Sequence, residues 1–204
     1  MPRDTGGAGD VLGALRTATA DAHERVETAL GLMDPALTRE RLADVLSRLH
    51  AFWAVAEAGL DAWAAREPAD ARTLAWSRRR RAHLFAADLR ALGVDPAPTG
   101  RPSLPAVAGT DEALGRLYVL EGSTLGGTFI DRHLAARPEL APGVRLRAFS
   151  PYGTETGAMW HAYRRATRDR VATDGDAGRV VAAACDTFAA LAAWVSPVAV
   201  GTPS

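Results

Sequence analysis

Lysine is missing from this 204-residue chain; all 24 of its basic residues are arginine. A coding bias toward alanine and arginine accounts for the choice, but the consequence is chemical. Any anion gripped here is gripped by planar guanidinium forks and not by ammonium groups. Cysteine occurs once, at Cys185, which excludes an internal disulfide and any multi-cysteine metal site. Excess charge of either sign is also missing. Net charge is zero and the pI is about 7, so the chain lacks the global basic footprint of a nucleic-acid binder. No charged segment followed by an apolar stretch opens the sequence, and no secretion signal is read there. The most apolar window, residues 180–200, is rich in alanine and contains Asp186 and Pro197. It reads as a buried helix and not as a membrane span. These absences predict a cytoplasmic protein with no nucleic-acid or membrane partner.

With 48% hydrophobic residues at this length, the chain suits one domain with a sizeable core. Residues 1–9 are Gly-rich and are expected to form a flexible N-terminus; the domain is expected over 10–196, with 197–204 a C-terminal tail. From Asp10 to about Gly31, Leu12, Leu15, Ala22, Val26 and Leu30 fall near helical spacing. After Thr38, a suitable N-cap, a longer apolar stripe runs from Leu42 to Trp63. A third helix is expected from Ala71 or Ser77 to Leu92, stopped by Gly93. Four prolines and two glycines in residues 94–109 mark a connector. Further helices are expected over about 110–136, 154–172 and 176–195, the last capped by Asp174. No segment alternates with period two. The fold class is all-α: a single-domain bundle of about six main helices.

The fourth of these helices contains LYVLEGSTLGGTFI, residues 117–130, with glycines at 122, 126 and 127. Each costs about 0.5–1 kcal/mol relative to alanine within a helix. Gly122 and Gly126, four apart, share one face and leave bare backbone there. On spacing alone, close helix packing and a ligand site both explain the pair, and packing is the commoner use of isolated glycines. Gly127 opens an adjacent face, which packing rarely needs. In the first helix, Arg16, Ala20, His23 and Glu27 lie within about 60° of each other around the axis, with Arg16 about 10 Å from His23 along it. Glu27 can hydrogen-bond one imidazole nitrogen and leave the other for a metal. A satisfied, partly buried histidine is the ordinary alternative.

Together, ALRTATADAHERVE (14–27), LYVLEGSTLGG (117–127) and FSPYGTETGAMWHAYRR (149–165) resemble the haem oxygenase family, and most closely its bacterial biliverdin-forming, phytochrome-associated branch. The resemblance implies a helical bundle with haem sandwiched between the first helix and a glycine-kinked distal helix. It implies His23 as the proximal iron ligand, with Glu27 its partner, and Gly122 and Gly126 as distal glycines approaching the haem face. Gly127 belongs to the same stretch. Arg16 corresponds to a basic residue contacting a haem propionate. Tyr163 and Arg164 resemble a Tyr-Arg pair whose arginine does the same, and Phe188 stands at a pocket wall. Many family members carry a distal aspartate that organises water; Ser123 stands there instead, with Ser123, Thr124 or ordered water as the expected proton source. The implied activity is oxidative cleavage of haem, which is both substrate and cofactor, to biliverdin, CO and iron. It would use O₂, electrons from a ferredoxin or flavin reductase, and a phytochrome as recipient of biliverdin. The rival reading is a non-catalytic haem or bilin carrier on the same scaffold.

Other constellations are discounted. Arg78, Arg79, Arg80 and Arg81 read as a solvated helix face, although four successive residues cannot all avoid the core. His133, about 16 Å from Gly122 on the same face, reads as structural. Di-iron oxidases on helical bundles need a carboxylate three residues before a histidine; Ala20, Ser47, Arg80, Ile130 and Ala158 hold those places. Cys185 reads as an inert thiol.

Overall fold

The computed structural model describes residues 10–96 and 100–196; the expected N-terminal segment 1–9 and C-terminal tail 197–204 lie outside the described residues. Seven α-helices follow in order among them: α1 (Val11–Leu30), α2 (Arg39–Arg66), α3 (Pro68–Thr73), α4 (Ala82–Ala91), α5 (Thr110–Ala135), α6 (Thr156–Thr173) and α7 (Ala177–Val195). The punctuation follows local chemistry. Gly31 ends α1 in the left-handed region at φ 58°, its N–H reaching the Glu27 carbonyl, and Thr38 caps α2 by accepting from Arg41 N at 3.2 Å. The apolar stripe of α2 is buried from Leu42 to Trp63 and forms the spine of the core.

Helix α7 is long and apolar enough to cross a membrane by length and composition. Here its apolar face, Val180, Ala184, Phe188, Leu191 and Val195, is buried as it packs between α5 and α1. It thereby holds the two helices that frame the site. Asp111, buried at the start of α5, reinforces this arrangement. It accepts from Arg170 Nε at 3.1 Å, Asp176 N at 3.0 Å and Arg179 Nη2 at 2.8 Å, tying α5 to the end of α6 and the start of α7.

Three expectations are corrected. Asp174 is the C-cap of α6; α7 is capped by Asp176, whose side chain accepts from Arg179 N. The expected third helix is broken into α3, a 3₁₀ turn at Trp76–Arg78, and α4. Ala75 sits at φ 49°, and the segment that follows carries two buried arginines inward. Arg79 pairs with the buried Glu121 carboxylate, while Arg81 is fully enclosed. The four-arginine run is therefore not a solvated helix face: only Arg78 and Arg80 are exposed. Glu57 from α2 fixes the turn by accepting from Arg81 N (2.6 Å) and Ala82 N (2.8 Å), which supplies partners for the first N–H groups of α4. Asp88 of α4 binds Arg147 N and Ala148 N in the same way, setting residues 147–149 against α5.

Candidate functional site

Between α1 and α5 lies a cavity of about 540 Å³, within the range of small-molecule and cofactor sites. Helix α1 contributes Arg16, Ala20, His23 and Glu27, the four residues whose spacing places them together. The His23 side chain is 52% exposed, open to the cavity mouth and not packed into the core. Glu27 Oε2 stands 3.6 Å from Nδ1, in ion-pair range but beyond hydrogen-bond reach, so the expected direct hydrogen bond is not made. Phe188 of α7 meets the imidazole edge-on, centroids 5.8 Å apart at 72°, and orients the ring.

Opposite His23, α5 presents Gly122, Ser123 and Gly126. A methyl group added at Gly126 would meet nothing within 4 Å, and one at Gly122 only the Trp160 ring at 4.0 Å. Among the described residues nothing needs these two side chains to be absent, so close helix packing does not account for them. Gly127 is the reverse. Its missing Cβ makes way for the Phe149 carbonyl, it is buried, and it does not line the cavity. The expectation that Gly127 joins the binding surface is corrected: it is a packing glycine on the other side of the same helix.

Tyr163 is also displaced from its expected place. It is wholly buried and donates to Leu114 O at 3.0 Å; Trp160, one turn earlier on α6, stacks on it at 5.2 Å and supplies the cavity wall. Burial pushes the Tyr163 phenol well above its ordinary range, so it stays a neutral donor. Arg164 is half-buried and does not line the cavity, whereas Arg16 does. Thr124 is buried on the far side and donates to Glu121 O, so it is removed as a proton source. His133 lies outside the lining, and the Cys185 thiol, pushed up by burial, points to Ala18 O.

Several wall residues were not singled out as site residues in the sequence, Trp53, Phe85 and Phe149 among them. Trp53 belongs to the apolar stripe of α2, and Phe149 falls in an irregular stretch. Arg81 is the most consequential omission. It lies over Trp53 and Phe85, at 5.1 and 5.6 Å from their centroids, and donates to Ser123 Oγ at 2.8 Å. The only sequence signal was that one of four adjacent arginines had to turn inward.

The chemistry of the cavity is selective. Among the described residues, no group of three or more His, Cys, Asp or Glu side chains could hold a bare metal ion. A metal bound through the one imidazole would take most of its other ligands from outside the protein, as iron in a porphyrin does. Apolar walls, a bare-backbone roof and an arginine at the edge suit that flat, dianionic group. Fold and site thus define an all-α haem-handling protein.

Comparison with known proteins gives the class its name. Residues 10–197 match the family model described as Heme oxygenase. The chain belongs to the haem oxygenase family, enzymes that degrade haem as their substrate. Among solved structures it is similar to the haem oxygenase of Neisseria meningitidis, known with NO and CO bound. The TM-score is 0.73 at 22% identity, over 91% of this chain and 89% of that one, a likeness of fold. A search of curated proteins finds no match.

Proposed function

We propose that this chain opens the haem ring oxidatively to biliverdin, carbon monoxide and free iron, using O₂ and electrons from a ferredoxin or flavin reductase. One observation carries the reading. An open imidazole and two glycines whose space no described residue fills face each other across one apolar cavity.

Haem, when bound, supplies the iron-centred oxygen chemistry. The chain's own residues bind, orient and enclose it. His23 would hold the iron, with Glu27 beside its Nδ1 and Phe188 setting the plane of the imidazole ring. Arg16, which lines the cavity, would pair with a propionate and so help orient the group; Arg164 does not line the cavity. Gly122 and Gly126 leave bare backbone on the side of the cavity facing His23, where a small ligand of the iron would be accommodated, which is catalysis by positioning. Trp53, Phe85, Phe149 and Trp160 keep bulk water out.

The segments 14–27 and 117–127 resemble the branch that supplies phytochromes, which favours a phytochrome as biliverdin's recipient and the cytoplasm as its setting. The test is a haem complex reduced without oxygen and then oxygenated. Appearance of the biliverdin spectrum with CO release supports the enzyme. Haem that survives O₂ and reductant unchanged makes the protein a carrier. His23→Ala removes the axial imidazole signature; a variant with an unaltered spectrum overturns the ligand assignment.

A further inference from the structure

Two arginines are buried behind the glycine-bearing face of α5, and they are compensated differently. Arg79 is neutralised by direct pairing with Glu121. The Arg81 guanidinium makes four hydrogen bonds, all to neutral oxygens: Nε and Nη2 donate to Ala148 O at 3.1 and 2.6 Å, and Nη1 donates to Leu120 O at 3.0 Å and Ser123 Oγ at 2.8 Å; only the backbone N–H reaches a carboxylate, that of Glu57. A guanidinium carries five N–H groups, so one on Nη2 stays uncommitted. Burial works against its charge, and Glu121 and Glu57 offset it only from a distance. A guanidinium nonetheless remains protonated. Among the described residues, the cavity wall opposite His23 therefore contains a guanidinium charge with no carboxylate paired to it.

That contact also fixes Ser123. Its hydroxyl donates to Leu120 O at 2.7 Å and accepts from Arg81, so its proton and one lone pair are taken. What Ser123 offers the cavity is a single acceptor site. Trp53, beneath the guanidinium and also on the wall, leaves its buried Nε1–H without a partner.

Resting on the haem reading above, we propose that Arg81 is the distal positioning residue of this enzyme. It is a buried cation that locks Ser123 as an acceptor and makes this side of the cavity attract anionic ligands of the haem iron. Ser123 then passes on no proton of its own; it orients a water that does.

Two readouts test it on ferric and CO-bound complexes whose haem uptake and axial imidazole signature have first been measured: azide affinity and the C–O stretching frequency. Arg81→Met should weaken azide about tenfold or more and raise the C–O stretch, and Arg81→Lys should restore most of both. Because Arg81 also ties residue 148 to α5, Arg81→Met can fail to fold. Ser123→Asp leaves Arg81 in place and sets a carboxylate against Nη1, so it should weaken azide to a similar degree. Wild-type azide affinity and C–O stretch in Ser123→Asp, or in a folded Arg81→Met, would overturn the proposal. A wild-type chain that takes up no haem overturns the function and this inference together. Normal haem uptake with insensitive azide binding overturns the inference alone.

Discussion

Gly126 and Gly127 are neighbours on α5, yet a methyl group added to each would meet opposite surroundings. At Gly126 it would enter open cavity; at Gly127 it would run into the Phe149 carbonyl. Gly115, two turns before Gly122, resembles Gly127, because the Val180 carbonyl of α7 fills its place. One helix thus spends glycine in two ways. On the packed side the absent side chain lets backbone approach backbone; on the cavity side it keeps space for something the protein does not itself supply. The two uses leave identical marks in the sequence and opposite marks on stability.

The largest expected effect lies on the packed side. Glu121→Ala strands the buried Arg79 charge and the Tyr152 hydroxyl that donates to Glu121 at 2.7 Å. Breaking such a pair costs about 3–5 kcal/mol, to be read as a fall in urea midpoint. Next comes the glycine pair itself. Gly127→Ala should cost about 1–3 kcal/mol through overpacking, whereas Gly126→Ala should stabilise the haem-free protein by about 0.5–1 kcal/mol through helix propensity. Thermal unfolding decides, and equal shifts of one sign would erase the distinction between the faces. Gly126→Leu should likewise keep the fold but lose haem turnover.

The smallest effect concerns Glu57, whose carboxyl is buried behind the cavity wall. Burial raises its pKa above the ordinary 4.5. Its contribution to stability is therefore complete below about that value and is lost as pH rises through the higher native value. Glu57→Gln retains the Oε1 acceptor that holds Arg81 N and Ala82 N. The variant should match the wild type in acid and gain on it as pH rises; a constant difference across the titration would sink this account.

Much of the site was legible because helical spacing is a local property. Arg16, His23 and Glu27 share a face by arithmetic, and Gly122 with Gly126 do so too, whatever packs around them. Thr38 and Gly93 marked helix ends through chemistry confined to a few residues. The choice between packing and ligand for each glycine was not legible, since it depends on Phe149 and Val180, distant in the chain. The same holds for Trp160 taking the wall that Tyr163 was expected to hold, and for Asp176 displacing Asp174 as a cap.

By itself the sequence determined the long helices, though not the break between α3 and α4, and with them the face that carries the imidazole and the face stripped of side chains, because periodicity orients neighbours along one axis. Only the tertiary structure decided that those two faces meet across a cavity, that Gly127 is spent on packing, and that one arginine of four enters the wall uncompensated. Those outcomes are set by which distant segments fill or leave each space, and burial of a charge depends on the whole shell around it.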